Sequence, residues 1–187
     1  MTFLAVSIFL FGIVHLNPAV PQWRTHAKQT FGKAYGPVYG ILSLLLLMAC
    51  LWAFRYAEVQ GLYEPPTWGR HANFGLSLVG FIFLGIFLFR GSWRNKLKVP
   101  MTIGVGLWAL GHLFANGDTR TTLLFGGLAA VAGLQGILRL QGGQSIPSDE
   151  RKGHNLLSVL GGVALYGLAV QLHAVIAGVP VIVLQLK

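Results

Sequence analysis

Carboxylates and thiols are nearly absent from this chain. Of its 187 residues only five are acidic and one is cysteine. The acids, Glu58, Glu64, Asp118, Asp149 and Glu150, all fall in connections between apolar runs, so no paired carboxylates stand within those runs for general acid–base work. Cys50 alone builds neither a disulfide framework nor a Cys-x-x-Cys-His segment for covalent haem, and in an apolar run it reads as a packing residue. A Ser-His-Asp arrangement and a phosphate-cradling glycine loop are also missing. Charged residues make up 10% of the chain, against about a quarter in soluble domains. These absences exclude a soluble hydrolase or nucleotide enzyme. Any chemistry has to come from histidine, a bound group or the substrate.

What the chain does have is apolar length. Residues of the hydrophobic class are 54% of it, and the mean hydropathy is +0.64. A bilayer core of about 30 Å needs about 20 apolar residues per helix. Six runs approach that length: 2–16 (extending towards Trp23), 36–56, 72–89, 99–115, 121–140 and 156–177. The expected fold is therefore all-α, a polytopic membrane helical bundle of about six transmembrane helices. It occupies residues 1–187 as a single integral membrane domain. The first run opens without a basic segment and no small-x-small cleavage site follows, so it reads as a retained helix rather than a secretory signal.

The net charge of +9 is distributed unevenly. Ten of the 14 basic residues lie in alternate connections: Arg24, Lys28 and Lys33, then Arg90, Arg94, Lys96 and Lys98, then Arg139, Arg151 and Lys152. The positive-inside rule places those connections in the cytoplasm and both termini outside. The charge thus encodes topology and attraction to anionic lipid, and it gives no reason to expect a nucleic-acid partner.

Punctuation suits such a bundle. Pro18 and Pro21 end or kink the first helix, Pro65-Pro66 marks a loop, and Pro100 suits the first turn of the fourth run. Gly142-Gly143 with Ser145-Ile146-Pro147-Ser148 forms the one low-complexity linker, and no internal repeat is visible. Glycines recur at close spacing, as in Gly32, Gly36 and Gly40, or Gly104, Gly106 and Gly111, and small residues let membrane helices approach closely. The phenylalanines Phe74, Phe81, Phe83, Phe87 and Phe89 read as packing or lipid-facing positions that also suit an apolar site.

Three histidines, His15, His112 and His173, interrupt the apolar runs. Ionisable side chains in a membrane bundle are costly and mark candidate sites, and imidazole is a common axial ligand of haem iron. His15 lies about 18 Å along the first helix and His112 about 18 Å along the antiparallel fourth. The depth difference of roughly 5–10 Å is within what tilt absorbs. The two can bracket one porphyrin, although nothing in the spacing demands it. His173 and His71 are alternative partners for His112, whereas His26 and His154 are expected in solvated cytoplasmic loops. After His112, Asn116-Gly117 reads as a helix stop with a left-handed glycine, and Asp118 as the N-cap of the next helix.

The string Trp108-Ala109-Leu110-Gly111-His112-Leu113-Phe114-Ala115-Asn116-Gly117-Asp118 resembles the NnrU family of bacterial membrane proteins. So do Pro100-Met101, Leu124-Phe125-Gly126-Gly127, His15-Leu16-Asn17-Pro18 ahead of Arg24, and His173 followed by Gly178-Val179-Pro180. The resemblance spans nearly the whole chain. It implies a multi-pass protein of the bacterial inner membrane, associated with denitrification clusters and with nitrite and nitric-oxide reductases. It also implies kinship with 15-cis-zeta-carotene isomerase, which uses non-covalent haem b with histidine ligands. Carried over by motif, His15 and His112 become the expected haem-iron ligands. The chain departs from the family where Lys98-Val99-Pro100-Met101 replaces Arg-His-Pro-Met. Val99 can neither bind a metal nor carry a proton, which also weakens any likeness to small membrane methyltransferases.

Two classes of function follow. One is a haem b protein that transfers electrons or senses redox state or nitric oxide; if it is an enzyme, it is a haem-dependent isomerase of a polyene acting without net redox change. The other is a non-enzymatic accessory or scaffold subunit. The expected partners are the bilayer, a lipophilic substrate or a component of the respiratory chain.

Overall fold

The computed structural model describes residues 1–142 and 150–181. Most of the 142–148 linker, together with Asp149 and Lys187, lies outside the described residues. Eight α-helices follow in order: α1 Thr2–Leu16, α2 Pro21–Phe31, α3 Tyr35–Tyr56, α4 Gly69–Leu88, α5 Ser92–Leu97, α6 Pro100–Ala115, α7 Thr119–Gln141 and α8 His154–Ala177. Short 3-10 turns, Asn17–Ala19 and Gly32–Ala34, bracket α2. Among the described residues the only extended pairing is an isolated bridge between Gly61 and Asp118.

The six apolar runs correspond to α1, α3, α4, α6, α7 and α8, and the chain is a multi-pass helical membrane protein. Five segments are long and apolar enough to cross a bilayer, one of them running from α2 through α3. The sixth, α6, has 16 residues, or about 24 Å of helix. It is the short member of the bundle and is braced by its neighbours. Two connections read as loops are instead helical. Pro21 sits at the N-terminus of α2, where its missing donor costs nothing, so His26 belongs to a helix rather than to a loop. The basic run Arg94–Lys98 forms α5 and the turn after it.

The packing order explains where the core lies. α1 packs on α3 and α7, α7 on α6, α6 on α4, and α4 on α8, while α3 also touches α7 and α8. Leu4, Ile8 and Phe11 of α1, Cys50, Ala53 and Phe54 of α3, Ala109 of α6, and Leu124, Phe125 and Leu128 of α7 form one buried cluster. Cys50 is fully buried there, a packing residue as its sequence context suggested. Ile41, Leu44, Leu45 and Trp52 on α3, and Leu156, Leu160 and Val175 on α8, stay exposed; on a membrane bundle this is the lipid-facing surface.

Glycine brings α4 against its two neighbours. A methyl group on Gly80 would lie 2.7 Å from the carbonyl oxygen of Gly104 on α6, and one on Gly162 of α8 would lie 2.6 Å from Cα of Ile82. Those helices therefore meet backbone to backbone, where dispersion replaces the hydrophobic drive that lipid cannot supply. The series Gly32, Gly36 and Gly40 does no such work, since nothing lies within 4 Å of where their Cβ atoms would be. The phenylalanines of α4 and its end pack rather than face an open site: Phe81 on Tyr166, Phe89 on His154, and Phe74 and Phe87 beneath Arg70 and Arg94.

The end opposite the basic connections is tied by hydrogen bonds. The loop after α3 folds over the α6–α7 turn, with Leu62 and Tyr63 donating to the Gly117 carbonyl and Thr119 to that of Gln60. The Tyr63 hydroxyl is shared between the carbonyls of Leu113 and Asn116. Asp118 caps α7 as expected, accepting from the Thr121 amide at 2.9 Å and its hydroxyl at 2.7 Å. Gly117 does not take the left-handed conformation expected of it. Asn116 ends α6 in an extended conformation, and glycine is needed next because a Cβ there would collide with the Tyr63 carbonyl.

Candidate functional site

His112 stands one turn before the end of α6, and the turn fixes its height. Its carbonyl accepts from the Asn116 amide and side chain, both at 3.0 Å. The Gly111 position next to it leaves room for Asn73 of α4, which a methyl group would approach to 2.7 Å. The His112 ring lies nearly parallel to Phe125 of α7, with centroids 4.1 Å apart, and edge-on to Trp108 at 5.1 Å. Its Nδ1 lies 2.8 Å from the Trp108 carbonyl oxygen. A carbonyl can only accept, so Nδ1 carries the proton and Nε2 keeps its lone pair.

His173 reaches the same place from α8. Its ring centroid is 6.4 Å from that of His112, and the two planes differ by 17°. Both helices pack on α4 rather than directly on one another, and the two imidazoles face each other in the gap. Nδ1 of His173 lies 2.7 Å from the Val179 carbonyl, which fixes the same tautomer as in His112 and leaves its Nε2 free. Val179 arrives there because Gly178 ends α8 at a φ of +80°, a left-handed turn that favours glycine. Arg70 clamps the tail beyond it by donating to the Val181 carbonyl at 2.7 Å, and Arg55 donates to that of Val175 at 3.0 Å. The Gly178-Val179-Pro180 segment is therefore the hook that orients His173.

His15 is not brought to His112. Its ring stacks on Phe11 with centroids 4.7 Å apart and lies 3.4 Å from the Tyr39 hydroxyl. Gln135 of α7 donates to its backbone carbonyl at 2.9 Å. His112 stacks on Phe125 of that same helix, ten residues earlier, so the two histidines sit at levels about 15 Å apart along α7. The tilt allowance drawn from sequence falls short because α1 and α6 present their histidines towards opposite ends of the bundle. His71 is exposed at the start of α4. His154 is half-buried at the start of α8, its Nδ1 3.4 Å from the Arg90 amide, so it is not a solvated loop residue.

Sequence reasoning marked His112 and His173 but not their partners. Backbone carbonyls have no residue-type signal, and the only trace of the second was the position of Gly178 after a histidine-bearing helix. Among the described residues, no three of His, Cys, Asp and Glu gather in one place. The centre thus offers two imidazole nitrogens and no more. Zinc takes three or four protein ligands and calcium six to eight oxygens. Haem iron takes four bonds from its own macrocycle and asks the protein for one or two axial ligands. Two imidazoles with Nδ1 held by carbonyls are a donor set that fits that group, and His112 and His173 are the residues that would hold it.

The family model described as NnrU protein matches residues 3–181, nearly the whole chain. No curated protein and no solved structure matches it.

Proposed function

The chain belongs to the NnrU family, and from that premise we propose that it is a membrane haem b protein whose axial ligands are His112 and His173. The observation that carries the reading is the paired tautomer. Both imidazoles spend their Nδ1 on backbone carbonyls, which leaves the Nε2 of each available as a ligand. Ligating histidines characteristically donate their other N–H to a carbonyl or carboxylate, which fixes the ring and raises its basicity.

Haem held there supplies reversible one-electron chemistry to the redox and nitric-oxide metabolism that the family resemblance implies. The protein's contribution is orientation and exclusion of water. Trp108 and Phe125 wall the His112 ring, and the α6–α7 turn and the Gly178 hook hold the two rings at fixed height. The electron partner would be a component of the respiratory chain in the bacterial inner membrane.

A pyridine haemochrome assay on detergent-purified protein, expressed with ample haem supply, tests this reading. The expected result is close to one haem b per chain. A colourless protein would return the working model to a scaffold whose histidines serve packing alone.

A further inference from the structure

The basic end of the bundle contains a second site. A cavity of about 730 Å³ opens between the end of α1, α2 and the start of α3, within the size range of ligand pockets. Its wall is mostly apolar, including Ile13, Trp23, Phe31, Val38 and Leu42. Its polar side chains are Asn17, Gln22, His26, Thr30, Tyr35 and Tyr39, and the Tyr35 hydroxyl donates to Asn17 Oδ1 at 3.0 Å.

Arg139 and Arg24 stand behind the cavity wall rather than in it, and the charges of both are felt by Tyr35, which lines it. Arg139 lies one turn beyond Gln135 on the same face of α7, and Gln135 already reaches the His15 carbonyl. Its Nε is buried with no hydrogen-bond partner, and its charge is felt by Tyr39, Tyr35 and Arg24. Two guanidiniums thus act on one another, and no ion pair to either is found among the described residues. Glu58, Glu64 and Asp118 belong to the opposite end, and Glu150 accepts from Asn95. An apolar cavity with two cations close to its tyrosines suits an amphiphile with an anionic head. The positive-inside rule puts this end at the cytoplasmic leaflet, where anionic phospholipids supply such heads.

We propose that the cavity between α1, α2 and α3 binds an anionic phospholipid, with an acyl chain along Ile13, Val38 and Leu42 and the phosphate at Arg24 and Arg139. This inference does not rest on the haem assignment, because the two sites lie at different ends of the bundle.

Native mass spectrometry of the full chain released from nanodiscs tests it. The nanodiscs would contain phosphatidylglycerol, or phosphatidylcholine with the same acyl chains. Wild type should retain one phosphatidylglycerol and little phosphatidylcholine. Arg24→Gln with Arg139→Gln should weaken retention by about tenfold or more. Ala27→Trp fills the cavity wall while keeping both charges; it should abolish retention too, which covers a double variant that fails to fold. Inorganic phosphate at millimolar concentration should not displace the lipid. Equal retention of both lipids, retention unchanged in Ala27→Trp, displacement by phosphate alone, or a quinone recovered in place of lipid would each overturn the proposal.

Discussion

The two ends of this bundle are built by opposite rules. At the end that holds His112 and His173, the loop after α3 is bonded to the α6–α7 turn, and Arg70 of α4 holds the tail after α8 by its Val181 carbonyl. At the basic end, α2 contributes no buried residue and a large cavity separates it from α1 and α3. Bonded loops hold the two rings in place, as the proposed ligation would require. A loosely attached amphipathic helix leaves space that lipid can fill. The difference separates a site that needs geometry from one that needs only shape and charge.

The sharpest way to break this contrast is to place the same small change at both ends. Gly117→Ala would drive a Cβ into the Tyr63 carbonyl, and it should cost about 1–3 kcal/mol as overpacking, read as a lower thermal midpoint in detergent. Removing the cap with Asp118→Ala should cost about 1 kcal/mol, seen in the same melt. Tyr63→Phe takes one hydroxyl from two carbonyls and should cost about 0.5–1.5 kcal/mol; hydrogen exchange at Asn116 and Gly117 should quicken. Gly40→Ala on α3 meets nothing within 4 Å. It should be neutral or stabilise by up to about 0.5–1 kcal/mol, because alanine loses less chain entropy in a helix. A destabilised Gly40→Ala protein beside an unaffected Gly117→Ala protein would reverse the contrast.

Much of the fold was legible. The six apolar runs match six helices almost end for end, since a hydropathy window responds directly to what a bilayer demands. Proline at 100 and aspartate at 118 marked helix starts, because those residues act through their own local chemistry, whereas Pro21, read as ending or kinking the first helix, opens α2. The helices α2 and α5 escaped notice because sequences such as Pro21–Phe31 are mostly polar, and their helicity owes nothing to length in hydrocarbon. At the site, His112 was legible as an ionisable residue in an apolar run, whereas its pairing was not. Distance along a helix gives depth only if both helices start at the same level. The short α6, which ends at the bonded turn, breaks that assumption for His15. His173 was visible as a candidate, but its orientation depends on a glycine turn and a carbonyl six residues later. The phenylalanines of α4 and its end read mainly as packing positions, and Phe74, Phe81, Phe87 and Phe89 do pack on neighbouring rings and guanidiniums.

The pairing of His112 with His173 is the central claim, and the reduced-minus-oxidised absorption spectrum tests it most directly when compared among wild type, His112→Ala, His173→Ala and His15→Ala. The account predicts a Soret band with sharp reduced α and β bands in wild type and in His15→Ala. Those bands should be lost or shifted to a high-spin form in the other two variants. Bands that survive in His173→Ala and vanish in His15→Ala would contradict it.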